Sequence, residues 1–167
     1  KQGKPFQVFT PFWKTCLLQG SVRQPLPPIV KYKIDKRSCI YSDTIDSLNL
    51  LPKTHWDEGL KQTWHPGSKG ADGALKAFIN HIGNYESQRD RPDKNGVSML
   101  SPYLHFGELS PRMIWQSIKE NNLENEGVEC FLRQLGWREF AHHLLFHFPF
   151  TPNKPLRQNF ELFKWKN

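Results

Sequence analysis

Apolar side chains recur at helical spacing along most of the chain beyond residue 64. Leu75, Phe78, Ile79, Ile82 and Tyr85 fall at i, i+3, i+4, i+7 and i+10. That single stripe predicts a helix of about 18 residues. Arg91-Pro92-Asp93-Lys94-Asn95-Gly96 breaks it. Two Ser-Pro pairs follow, Ser101-Pro102 and Ser110-Pro111, each read as an N-cap with proline in the first turn. Gly107 separates a one-turn helix from a longer one carrying Ile114, Trp115 and Ile118. A last long helix is expected from about Val128 to Phe148, with Phe131, Leu132, Leu135, Leu144 and Leu145 along it and Pro149, Pro152 and Pro155 ending it.

The other end of the chain reads differently. Gln7-Val8-Phe9 is a short strand-like run. Thr10-Pro11 then predicts an N-cap and a first helical residue, with Phe12, Trp13, Cys16 and Leu17 at helical spacing and Gly20 as a stop. Residues 21–62 carry Pro25, Pro27, Pro28 and Pro52 without a sustained period, the mark of a long surface connection. No internal repeat and no convincing second strand is found, so residues 64–167 read as all-helical.

Composition narrows the class. Aromatics make up 13% of the 167 residues, with 12 Phe and 6 Trp, which excludes a disordered chain. No apolar run approaches the ~20 residues of a membrane helix. The chain opens on Lys1-Gln2-Gly3-Lys4, with neither Met nor a leader, and reads as a fragment. Cys16, Cys39 and Cys130 are too few and too scattered for a disulfide framework or a zinc motif, so a reducing, cytoplasmic setting is expected. The net charge of +7 invites a nucleic-acid reading. Residues 1–40, however, hold eight Lys/Arg against Asp35 alone, and the rest of the chain balances 15 basic with 15 acidic residues. Contact with DNA must therefore rest on particular arginines.

Three segments carry chemistry. In Gly96-Val97-Ser98-Met99-Leu100-Ser101-Pro102 two serines flank a helix start, where free N–H groups and hydroxyls suit a phosphate; a capped helix start without a ligand has the same pattern. Tyr85 and Arg89 stand at i and i+4 and can hold a phosphate between phenol and guanidinium, or be a core tyrosine beside a solvated arginine. Gln134-Leu135-Gly136-Trp137-Arg138 puts an indole beside two polar groups that can stack on a base and read its edge; a buried tryptophan among surface charges is the alternative. Gly136 costs about 1 kcal/mol in a helix interior relative to alanine and is suited to a close approach to the backbone. His143 and His147 also stand at i and i+4, but no acid or cysteine nearby completes a metal set, and no metal is expected.

Taken in order, these segments resemble the DNA photolyase/cryptochrome family. The likeness runs from Lys4-Pro5-Phe6-Gln7-Val8-Phe9-Thr10-Pro11-Phe12-Trp13 through Trp64-His65-Pro66-Gly67, Tyr85-x-x-x-Arg89-Asp90-x-Pro92, Gly96-x-Ser98-x-Leu100-Ser101-Pro102-Tyr103-Leu104-x-Phe106-Gly107 and Ser110-Pro111-Arg112 to Trp137-Arg138-Glu139-Phe140. The implied fold is mainly α. Residues 1–20 would be the tail of the family's α/β antenna domain and 21–62 a linker. Residues 63–167 would be the N-terminal half of the helical FAD-binding domain.

The resemblance also implies roles. Tyr85, Val97, Ser98, Met99, Leu100, Ser101 and Phe131 match FAD-binding positions. Arg89, Gln134, Trp137, Arg138 and Ala141 match DNA-facing positions, with Trp137 packing on a flipped pyrimidine dimer. Trp165 falls where the outermost tryptophan of the electron relay lies. Val97 replaces a threonine common in the loop, and Gln134 a glutamate common in dimer-repairing members. The implied activity of the whole protein is light-driven repair of cyclobutane pyrimidine dimers by electron transfer from reduced FAD, in a monomer with no membrane role. Its antenna chromophore, of folate or deazaflavin type, would not be held by this chain, which alone would be inactive. A cryptochrome-like photoreceptor and a (6-4) photolyase are the alternatives. In this picture Ser98 and Trp137 converge on one cavity.

Overall fold

The computed structural model describes residues 3–20, 22–27, 29–31, 33 and 42–163. It is mainly helical, 53% helix with no strand among the described residues. The expected strand at Gln7-Val8-Phe9 is absent. Val8 is extended (φ −134°, ψ 135°) but has no sheet partner, and α1 begins at once, spanning Phe9–Leu18. The cap is thus Val8, not Thr10. Pro11 is tolerated two positions deeper than expected, as the third helical residue, because first-turn N–H groups have no intrahelical acceptor to lose. Gly20 ends the segment with φ +70°, a conformation that glycine adopts without strain.

The described part of residues 21–62 carries a 3-10 turn at Asp46–Leu48 and the start of α2, Glu58–Thr63, which no periodicity announced. Glu108 Oε1 then accepts the Gly67 N–H at 2.8 Å, and Trp64 packs edge-on against Tyr103. These contacts fasten the Trp64–Gly67 turn to α5 (Ser101–His105) and the residues that follow it.

The expected 18-residue helix is two helices. α3 runs Ser68–Ile79, a 3-10 turn spans Ile82–Asn84 and α4 covers Tyr85–Gln88. The apolar stripe continues across the break, which is why the spacing concealed it. Asn80, Gly83 and Asn84 are weak helix formers, and tertiary packing fixes the turn here. A Cβ on Gly127 would lie 2.1 Å from the Ile82 carbonyl oxygen, so this turn is pressed against the start of α7.

α6 spans Pro111–Glu120 with Ser110 as its cap, the hydroxyl accepting the Met113 N–H at 3.2 Å. α7 spans Glu126–His147, two residues earlier than expected at its start. Asn125 supplies the reason, its Oδ1 accepting the Val128 N–H at 3.0 Å.

Two apolar clusters meet on α7. The larger joins Leu75, Phe78, Ile82, Tyr85, Leu100, Ile114, Phe131 and Leu135. The smaller joins Phe9, Phe12 and Phe140, flanked by Phe6, Trp13 and Leu144. α1 is therefore docked on the helical body. It lies close to α7 at Gly136, where a Cβ would be 2.5 Å from the Trp13 ring. Nearby, His143 Nε2 accepts the Phe6 N–H at 3.0 Å. No helix among the described residues is long and apolar enough to cross a membrane.

Candidate cofactor and nucleic-acid site

Two of the three chemical segments converge around α4. Gly96 is buried against its end: a Cβ there would lie 2.5 Å from the Gln88 carbonyl carbon. Only glycine lets the Gly96–Ser101 loop and the Tyr85–Arg89 turn come so close. From the other side α7 closes in. The Tyr85 and Phe131 rings meet edge to face at 5.3 Å, and Arg89 Nη1 donates to Cys130 Sγ at 3.9 Å. The guanidinium carbon lies 5.4 Å from the centre of the Tyr85 ring, as the i, i+4 spacing expected, and Nε donates to Asp90 at 3.2 Å. Burial opposes the charge of Arg89, but Cys130, Tyr85 and Asp90 outweigh it and raise its pKa. Burial also raises the pKa of the Tyr85 phenol. Tyr85 stays neutral and Arg89 stays charged.

The loop has the chemistry of an anion cradle. Ser98 is half-buried, and Val97 and Met99 are exposed. Met99 takes a left-handed conformation (φ +54°), followed by right-handed Leu100 (φ −97°, ψ −7°). Such alternation turns successive N–H groups toward one side. The Leu100 N–H donates to Ser98 Oγ at 3.4 Å, and no acceptor among the described residues takes the N–H of Val97, Ser98 or Met99. Ser101 is the first residue of α5 and not its cap, as the Ser-Pro pattern had suggested; Leu100 is the cap and has no side-chain bond to give. The donor set fits the diphosphate of a dinucleotide. Leu100 and Phe131, 1% and 3% exposed, form the apolar backing behind the loop.

The third segment lies further along α7. Gln134, Arg138 and Ala141 at i, i+4 and i+7 share a face with Trp137. Gln134 and Arg138 are half-buried and Ala141 is exposed. Arg138 pairs with Glu139 at 2.7 Å. Trp137 is 46% exposed, so it is neither a core residue nor a free side chain. Phe9 stacks on it, with centroids 3.8 Å apart and planes 10° from parallel. Phe140 meets it edge-on at 5.9 Å. The close approach that Gly136 signalled is made by Trp13. Trp165 lies outside the described residues.

A cavity of about 820 Å³ opens between α1, α6 and α7, lined by Trp13, Cys16, Arg112, Trp115 and Glu139 among others. Two of about 600 Å³ lie near the C-terminal end. The expected convergence of Ser98 and Trp137 on one cavity is not met by any of these three, since neither residue lines them. The site residues that sequence reasoning passed over are Phe9, Trp13 and Cys130. Phe9 and Trp13 sit in a quoted motif, but their partners lie more than 120 residues away and no local spacing announces such a contact.

No family model matches the chain. Curated relatives do. A deoxyribodipyrimidine photo-lyase of Agrobacterium fabrum is 35% identical over 173 residues, covering 100% of this chain and 36% of the relative. A protein of the same name from Thermus thermophilus is 39% identical over 165 residues, covering 98% of this chain and 35% of the relative. Cryptochrome-2 of Arabidopsis thaliana is 31% identical over 179 residues, covering 99% of this chain and 29% of the relative. The crystal structure of a bacterial class III photolyase from Agrobacterium tumefaciens superposes with a TM-score of 0.88 at 35% identity, covering 100% of this chain and 35% of that one. The chain thus spans about a third of the length of the relatives it matches. With its ordered motifs, its helical fold and these relatives agreeing along its full length, the chain belongs to the DNA photolyase/cryptochrome family.

Proposed function

We propose that the chain forms part of a flavoprotein that repairs cyclobutane pyrimidine dimers in DNA under light. The observation that carries the reading is the half-exposed Trp137 indole, set among Gln134, Arg138 and Ala141 and backed on one face by Phe9. An aromatic ring held flat and open to solvent is a stacking platform for an unpaired base. The relatives named deoxyribodipyrimidine photo-lyase support the reaction class.

The residues divide the work. Ser98 and the N–H groups of Val97, Ser98 and Met99 grip the diphosphate of FAD, with Tyr85, Leu100, Ser101 and Phe131 shaping the wall behind. When bound and reduced, FAD supplies the light-driven electron for splitting the two carbon–carbon bonds of the dimer, a reaction with no net redox change. Trp137 presents a ring face to the flipped dimer, and Gln134 offers an amide to a base edge. Arg138 exchanges Glu139 for a DNA phosphate, and Arg89 adds a second phosphate contact beside Tyr85. Each such contact makes affinity salt-dependent. Ala141 leaves room for the strand to approach. Trp165 remains the proposed outer member of an electron relay.

A second reading, a cryptochrome-like photoreceptor or a (6-4) photolyase, draws on Gln134. An amide stands where dimer-repairing members often have a carboxylate, and cryptochromes are among the relatives. The test uses the full-length protein with reduced FAD and an oligonucleotide bearing one cyclobutane thymine dimer. Blue light should restore two thymines, read by chromatography, and darkness should not. A flavin-bearing protein that leaves the dimer intact under light while repairing a (6-4) lesion, or neither lesion, overturns the first reading.

A further inference from the structure

We infer that Phe9, from α1 at the far end of the chain, is a positioning residue for Trp137: it fixes the indole by covering one face and leaves the other to take a flat base. This deepens the proposed function and rests on that reading for the identity of the base.

A tryptophan side chain on a helix surface turns about two bonds. An indole free on both faces would sample several orientations, and any ligand would have to order it at an entropic cost. Phe9 removes that freedom. Its ring lies 3.8 Å from the indole and 10° from parallel, while Phe140 stands edge-on to both, at 5.9 Å from each. The stack is anchored from below. Phe9 is itself 7% exposed, and it begins α1, whose entry is fixed by extended Val8 and whose first turn contains Pro11. Trp13, one turn later, sits over Gly136, where any Cβ would collide with its ring. Two successive residues of α7 thus do linked jobs. Gly136 admits Trp13 so that α1 lies close, and α1 brings Phe9 over Trp137. Despite this packing Trp137 remains 46% exposed.

Phe12 provides the control. It is buried in the same cluster and touches Phe140 and His143, but no ring contact joins it to Trp137 among those the structure gives. The experiment uses the full-length protein labelled with 5-fluorotryptophan, with the Trp137 resonance identified by its loss in Trp137→Phe. Phe9→Leu should shift or broaden that resonance and weaken binding of dimer-bearing DNA about 3–10-fold, with binding of undamaged DNA unchanged. Phe12→Leu should lower the melting temperature and change neither the Trp137 resonance nor the preference for damaged DNA. A Trp137 signal unmoved by Phe9→Leu, or equal effects of Phe9→Leu and Phe12→Leu on damaged-DNA preference, overturns the proposal. If instead Phe9→Leu moves the resonance but Trp137→Phe and Phe9→Leu both leave the preference for damaged DNA intact, the repair reading fails and the base contact falls with it.

Discussion

Gly136 lies inside α7, where glycine costs about 1 kcal/mol against alanine, and Gly127 is the second residue of the same helix. Each is held there by a different neighbour, and the difference predicts unequal mutants. At Gly136 a Cβ would meet the Trp13 ring at 2.5 Å; at Gly127 it would meet the Ile82 carbonyl oxygen at 2.1 Å. A ring can swing, but a backbone turn wedged in the core cannot. Overpacking of roughly 1–3 kcal/mol offsets the helix-propensity gain at Gly136, so Gly136→Ala should lose up to about 2 kcal/mol of stability. Gly127→Ala should lose more, read as a lower midpoint of urea unfolding. Equal midpoints, or a more stable Gly127→Ala, would contradict this packing. Gly96→Ala carries its penalty elsewhere. Its Cβ would press on Gln88 backbone atoms at 2.5–2.6 Å and push the anion loop off α4. FAD affinity, followed by flavin fluorescence, should fall about tenfold, equivalent to ~1.4 kcal/mol, with a small change in melting. A larger loss of stability than of FAD affinity argues against this placement.

At the scale of elements, most of the helical body was legible because amphipathic spacing and proline or glycine punctuation mark it. α6 was read with its cap at Ser110, and α7 to within two residues at its start. The errors have physical causes. α3 and α4 were fused because the stripe from Leu75 to Tyr85 keeps its period across the Ile82–Asn84 turn, and what breaks the helix is contact with Gly127. The strand expected at Gln7–Phe9 found no partner, so the same residues became the entry to α1. α1 depends in turn on a titratable contact. The Phe6 N–H donates to His143 Nε2, which must be unprotonated to accept it. Burial, then repulsion from His147 whose ring lies 4.5 Å away, lowers the His143 pKa below its usual 6.5. The Phe12 and Phe140 rings that also pack on it are uncharged. The unfolded chain therefore binds the proton more readily. Stability should be fully present above about pH 6.5 and should fall as pH drops toward the lower folded value. In unfolding curves between pH 7.5 and 5, His143→Leu should flatten that dependence; an unchanged slope would assign it to other groups.

For the whole molecule, the sequence placed the Gly96–Ser101 loop ahead of α5 and the indole on α7, but it put Tyr85 on the long helix that splits into α3 and α4. It did not reveal how they are joined. Tyr85, Leu100 and Phe131 share one cluster, whereas Trp137 leans on the other through Phe9 and Phe140. Phe106, Phe146, Phe160 and Leu162 are exposed on a chain that covers 35% of the photolyase structure it matches. In the proposed function the loop and the indole are two separate stations, one for the diphosphate of FAD and one for a flipped base, and a mutation at one should spare the other. Trp137→Ala in the full-length protein tests this most directly. With FAD and dimer-bearing DNA titrated side by side, loss of the indole should weaken the DNA by ~1–3 kcal/mol, roughly 5- to 150-fold, and leave FAD binding within twofold of its starting value. Equal loss of both would make Trp137 a structural residue, and no loss of DNA affinity would remove the base from the account.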